Sequence, residues 1–374
     1  MRSLISIATA ILGFTSTLVA AGVPHSRRSG GGGGGFSPFP LKDGFPNPNP
    51  VQVRQIQNQS LGTLPNTAPP KNISQEGLNN LRVIAANELF EVAFFNQLLS
   101  NVTNNVTGYT VPDKEGRELL IKTLTAVQAQ EELHALNANG ALKNFKAEPL
   151  EPCKYKFPVT DLPSAIALAS TFTSVVLGTL QDVIQTFAQN GDAPLTRGIA
   201  AVLGQEGEQQ GWYRSIQGKI APELPFLTTS TRDIAFNALN QTFIVPGSCP
   251  SLDSIQAKTF QPLTLLTAPA AKTQTQTVRF SFQKMGDDSP TEAGKKDLDL
   301  KLVYINQQNK PIVEDFKVVK TEGQTVTIEA VFPYDENLMN GLTIAVLASG
   351  GGCFSNVQGV SDATKYGPAL IIIN

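Results

Sequence analysis

The chain of 374 residues carries 29 Lys+Arg against 31 Asp+Glu, a formal net charge of −2, with two histidines, three cysteines and one tryptophan. With 16% charged residues and no basic excess, it lacks the charge that phosphate neutralisation requires, so no nucleic-acid partner is expected. Three cysteines and two histidines cannot furnish a Cys-rich or three-His zinc site, so any metal centre must be mostly carboxylate. The length suggests two domains.

Arg2 precedes an uncharged stretch, 4–21, that closes on Val19-Ala20-Ala21. This is the pattern of a secretory signal over residues 1–21. Ser6, Thr9, Thr15, Ser16 and Thr17 make it too polar for a lasting membrane anchor, so a secreted or cell-wall location without a stable membrane span is expected. His25 follows, and Arg27-Arg28 form a dibasic processing site that would remove it. The glycine run 30–35 and the Pro/Asn-rich stretch 38–50 mark residues 22–70 as a disordered tether. Asn58, Asn72, Asn101, Asn105 and Asn240 each begin an N-x-S/T sequon, a glycan acceptor in an exported chain. Cys153 and Cys249 sit in loop-like contexts and are expected to form a disulfide in an oxidising compartment, leaving Cys353 unpaired.

A helical domain is expected over 71–250. Residues 75–100 place Leu78, Leu81, Ile84, Ala85, Val92, Phe95 and Leu99 at three- and four-residue spacing, the pattern of an amphipathic helix. A second helix is expected over 113–139. A third opens at Asp161-Leu162-Pro163 and runs to Asn190, its middle free of charge and therefore buried on most sides. A fourth starts at Asp192-Ala193-Pro194 and runs to about Gly218, and a shorter fifth occupies 231–242. Asn190-Gly191-Asp192 makes the third and fourth helices antiparallel neighbours. Between the second and third, residues 140–160 reach roughly 60 Å when extended. A helix of about 25 residues is only about 38 Å long, so this linker can cross from one end of the bundle to the other. Four long helices with one central crossover is ferritin-like connectivity.

From 255 to 374 the texture changes to short β-branched and aromatic runs separated by Gly, Pro, Asn and Asp: 277–284, 298–306, 312–320, 325–332, 343–349 and 369–373. The expected fold is therefore α+β and multidomain, with a small antiparallel β-sandwich-like domain after the bundle.

Carboxylates on apolar helix faces are the candidate chemistry. Ferritin-like di-metal sites take a Glu from each of two helices and a Glu-x-x-His pair from each of the other two, since positions i and i+3 share a face. The second helix contains Glu131 and His134 in that spacing. The first offers Glu88, with Glu91 as substitute, and the fourth offers Glu206. Two positions depart from the pattern and are only weaker candidate ligands through their amide oxygens: Gln181 stands on the third helix where a carboxylate is expected, and Gln209 stands three residues after Glu206 where His is expected. Asp182, one position round from Gln181, is expected to face solvent. Glu88, Glu131 and Glu206 bring three negative charges, one short of the set that neutralises two divalent ions.

The runs Asn87–Phe95, Gln130–His134 and Leu203–Arg214, with the secretory layout, resemble the secreted ferritin-like-domain proteins of fungi, a stress-response and late-sexual-development family related to plant desiccation-associated proteins. The resemblance covers roughly 75–250 and implies a ferritin-like bundle with a metal site, without implying a known reaction. Two readings follow. One is a protein that binds Fe or Mn through Glu88, Glu131, His134 and Glu206, with an oxidase or peroxide-handling activity as its catalytic form. The other is a non-catalytic secreted or wall-associated protein without cofactor, in which a buried Glu–His–Gln network sets helix register and a surface partner is engaged. A Ser-His-Asp hydrolase is disfavoured because His134 is the only histidine within the helical domain.

Overall fold

The structure, a computed structural model, describes residues 35–270, 274–284 and 300–373. The expected signal, His25, the Arg27-Arg28 pair and all but the end of the glycine run lie outside the described residues.

The first helix, α1 (Pro50–Ser60), falls inside the segment 22–70 and corrects the expectation of a disordered tether there. Asn49 caps it, its side chain accepting from the N–H groups of Val51 and Gln52 while the Gln52 side chain accepts from the Asn49 N–H. Ile56 is fully buried against Ala129 and Leu133, and Phe36 pairs its backbone with Tyr155. Most of this stability comes from the surface the segment packs on, which composition does not reveal.

Four long helices form the bundle: α2 (Gln75–Thr103), α3 (Lys114–Asn144), α4 (Leu162–Gln189) and α5 (Ala193–Ile216). Ser74, Asp113 and Asp161 cap the first three, accepting from the N–H groups of Gly77, Gly116 and Ser164. Asp192 instead accepts from the Ser74 N–H at 2.9 Å and the Ser74 hydroxyl at 2.5 Å, tying the α4–α5 turn to the start of α2. The second long helix extends to Asn144, beyond its expected end at 139, and buries Leu142. α2 packs on α3 and α4 on α5, and the segment between α3 and α4 crosses the bundle back to the α2–α3 turn, where the Leu162 N–H donates to the Gly108 carbonyl at 2.9 Å. That crossover is anchored twice: Cys153 is bonded to Cys249, 96 residues on, and Tyr155 bridges to Ile244 after α6 (Arg232–Thr242). Cys353 is free and exposed.

Among the described residues eight strands follow: β1 (Leu263–Thr267), β2 (Gln276–Gln283), β3 (Leu300–Asn306), β4 (Ile312–Glu314), β5 (Phe316–Glu322), β6 (Thr325–Phe332), β7 (Gly341–Ser349) and β8 (Thr364–Ile373). Short helices α7 (Tyr334–Asn337) and α8 (Val357–Ala363) flank β7. The strands form two antiparallel four-stranded sheets, ordered β1-β2-β6-β5 and β4-β3-β7-β8. Phe280, Ile328 and Phe332 of the first meet Leu302, Tyr304 and Leu347 of the second in a shared core. The expected single strand 312–320 is in fact two, because the chain changes sheets at Asp315. β1 carries no expectation from sequence.

The second sheet is covered on its outer face as well. Val303, Ile305, Ile344 and Val346 pack with Val175 of α4, Ile234 of α6 and Val360 of α8. β7 is accordingly buried almost along its length instead of alternating. This contact also explains the uncharged middle of α4, which has the bundle on one side and the sheet on the other. Among the described residues α4 alone is long and apolar enough to cross a membrane, and 72% of that stretch is buried inside the protein.

Removing the Cys153–Cys249 bond frees a loop closed over a separation of 96 residues. A Cys153→Ser, Cys249→Ser variant is expected to lose about 2–5 kcal/mol of stability, measured by urea unfolding. An unchanged urea midpoint would show that the crossover is held by packing alone.

Candidate metal centre

Three helices each bring a pair of residues spaced i, i+3 to the middle of the bundle: Glu88 and Glu91 on α2, Glu131 and His134 on α3, Glu206 and Gln209 on α5. All four carboxylates are essentially without solvent contact. Glu88, Glu131, His134 and Glu206 each offer a donor atom, and those atoms all lie within 4.8 Å of one another. His134 Nδ1 stands at 3.0 Å from Glu131 Oε2 and 3.5 Å from both Glu88 Oε2 and Glu206 Oε1. The imidazole, 14% exposed, is the member of this group nearest to solvent.

Glu91 is buried beside this set, so the cluster holds four carboxylates, not the three counted from the primary candidates. The charge missing from α4 is supplied by a second carboxylate on α2. Gln181 turns away from the cluster: its Oε1 accepts from the Thr229 hydroxyl and from Gln308 Nε2, across the contact with the sandwich. Asp182 does not simply face solvent, since its carboxylate accepts from the Arg232 N–H at 3.4 Å and its half-buried position raises its pKa to about 6. α4 therefore gives neither of these side chains to the centre. Gln209 does reach it, but as a hydrogen-bond donor, with Nε2 at 2.6 Å from Glu131 Oε1.

The electrostatics are severe. An ionised carboxylate taken out of water costs several kcal/mol unless compensated. Among the described residues, the ion pairs that reach these carboxylates all come from the single imidazole. One oxygen of Glu88, both of Glu91 and both of Glu206 are buried without a hydrogen-bond partner. Burial raises Glu88 to about 7 and Glu206 to about 8, and raises Glu91 well above the usual carboxylate range, with the neighbouring carboxylates adding to the last two. Burial opposes the charge of His134, but the attraction of Glu88 and the contacts with Glu131 and Glu206 outweigh it and hold the imidazole well above its ordinary value. Orphaned oxygens around one imidazole nitrogen fit a cation that takes carboxylate and imidazole ligands.

Polar side chains not foreseen from sequence surround the cluster. Tyr213, fully buried, donates its hydroxyl to Gln209 Oε1 at 2.8 Å. Gln130 Oε1 accepts from Gln205 Nε2 at 3.0 Å and from Gln209 Nε2 at 3.3 Å, while Gln130 Nε2 donates to the Ser60 carbonyl at the end of α1. The available signal was the run of amides beside the carboxylates on α3 and α5, since Gln130 immediately precedes Glu131 and Gln205 immediately precedes Glu206.

Residues 78–219 match the ferritin-like domain family. The matched span runs from α2 to just past α5, so this ferritin-like domain contains every residue of the cluster and excludes α1 and the sandwich. No curated protein shows a significant sequence match to the chain.

The raised carboxyl groups give the metal-free protein a definite pH dependence. Between the unfolded carboxylate value of 4.5 and the folded values of about 7 and 8, the folded chain holds protons that the unfolded chain releases, so stability falls as pH rises. His134, raised above 6.5, acts in the same direction: its contribution is complete below that value and is lost as pH climbs through the folded one. Chelator-treated protein is expected to lose on the order of a few kcal/mol between pH 5 and pH 8, read from urea midpoints. A midpoint that rises toward pH 8 would contradict the burial of these groups.

Proposed function

We propose that the ferritin-like domain holds Fe or Mn through Glu88, Glu131, His134 and Glu206, with Glu91 at hand as a further carboxylate. The observation that carries this reading is the set of buried carboxylate oxygens on Glu88, Glu91 and Glu206 that have no hydrogen-bond partner. A hydrogen-bonded network without cofactor would satisfy those oxygens, whereas a cation replaces the protons that burial otherwise imposes. Four carboxylates and one imidazole suit Fe or Mn better than an all-oxygen Ca or Mg site. Such an ion, when bound, supplies one-electron redox chemistry. The chain supplies the rest: it fixes the ligands on three helices, keeps water from the carboxylates and leaves access at the His134 edge.

The secreted setting belongs to the same proposal, as does kinship with the fungal stress-response and sexual-development family. It is supported by the signal-type leader, the Cys153–Cys249 bond and sequons at Asn58, Asn72 and Asn105 that lie on exposed residues. Asn101 and Asn240 are half-buried and are poorer acceptors. Protein collected from the medium of a eukaryotic host is expected to shift in mobility on endoglycosidase treatment, and retention inside the cell without glycans would refute export.

Metal binding is tested on chelated protein titrated with Mn(II), or with Fe(II) under anaerobic conditions. A hundredfold excess over Kd stabilises by about 2.7 kcal/mol, which appears as a Tm rise of several degrees. His134→Ala and Glu206→Gln are expected to weaken binding by more than about tenfold, while Glu208→Gln, on the exposed side of α5, keeps it. No metal-dependent shift in the parent protein, or the same shift in His134→Ala, would overturn the reading.

A further inference from the structure

We propose that the cluster takes one metal ion, not two, and that the side-chain amide of Gln209 occupies the place of the second. This rests on the metal-binding reading above and adds its stoichiometry. In a two-ion arrangement built from Glu-x-x-His pairs, the residue three after each pair's glutamate must present a lone pair to an ion. On α3 His134 does so. On α5 the corresponding residue is Gln209, and its orientation is determined by its partners.

A carboxylate only accepts hydrogen bonds, so the atom of Gln209 that lies 2.6 Å from Glu131 Oε1 must be the nitrogen. The opposite end of the amide agrees: Oε1 accepts the Tyr213 hydroxyl at 2.8 Å. The remaining hydrogen of Nε2 points to Gln130 Oε1 at 3.3 Å. Gln209 thus faces the cluster with N–H groups, which cannot coordinate a metal. It also occupies one oxygen of Glu131, leaving Oε2, at 3.0 Å from His134 Nδ1, as the oxygen turned to the ligand set.

Turning the amide over would set its oxygen against two acceptors, the Glu131 carboxylate and Gln130 Oε1, and would leave the buried Tyr213 hydroxyl without its present acceptor. Both Gln209 and Tyr213 are buried, so water cannot easily replace those bonds. The partial positive charge of the amide hydrogens offsets part of the charge that a second cation would neutralise. Glu91 does not restore a second site by itself. It lies outside the group whose donor atoms are mutually within 4.8 Å, and among the described residues no second imidazole accompanies it.

The test is a Mn(II) titration of the chelated full-length protein, followed by elemental counting after desalting and by electron paramagnetic resonance. The parent protein is expected to retain one ion per chain with the six-line signal of an isolated Mn(II). Gln209→His and Gln209→Glu, which exchange the donor for a ligand, are expected to double the count to two and to quench the six-line signal through spin coupling. Two ions per chain in the parent protein would overturn the single-ion proposal and leave metal binding intact. So would a count of one in folded Gln209→His and Gln209→Glu. No retained ion in the parent protein would overturn the metal-binding reading itself. The parent count decides the stoichiometry even where a variant does not fold.

Discussion

Four carboxylates buried around one imidazole set the terms for the helices that surround them. Helix periodicity makes the arrangement possible, since Glu88 and Glu91, Glu131 and His134, and Glu206 and Gln209 each share a helix face. The cost of burial makes it demanding. A core that merely needed register could use amides and hydroxyls, as the Gln130–Gln205–Gln209 group does one step away. The orphaned oxygens of Glu88, Glu91 and Glu206 instead leave a deficit of positive charge at the centre of the bundle.

The remaining architecture keeps that deficit in place. α4 has little freedom to contribute a ligand, because it is wedged between the bundle and the sandwich. At Gly178 a Cβ would come within 2.4 Å of the Thr228 carbonyl, so the helix approaches that strand-side loop as closely as a backbone can. Gln181, one turn on, is engaged in the same contact. On the far side of the cluster α1 covers α3, and its last carbonyl receives Gln130. The domain matched by the ferritin-like family is thus enclosed by parts of the chain outside the match: α1 before it, and α6 and the sandwich after it.

The long helices and the convergence of Glu88, Glu131, His134 and Glu206 were legible in the sequence because strong local signals and the buried face coincide. Asp161 and Pro163 begin α4 where expected, and the three-residue spacing of Glu131 and His134 puts both on one face of α3, within 3.0 Å of each other. What was not legible depends on tertiary context. The composition of 22–70 concealed the capping box at Asn49 and Gln52, and only the pairing of Ile56 with α3 makes that segment a packed helix. The orientation of Gln181 could not be inferred, because its partners Thr229 and Gln308 lie 48 and 127 residues away. Glu91 ranks second to Glu88 when each helix is assumed to give one carboxylate, whereas α2 buries both.

If a cation answers the charge of this cluster, anomalous diffraction at the iron and manganese edges will locate it in crystals of protein purified without chelator. An anomalous peak is expected in coordination contact with Glu88, Glu131, His134 and Glu206. Crystals of metal-supplemented protein with no such peak, and with the carboxyl groups instead hydrogen-bonded to one another and to His134, would contradict it.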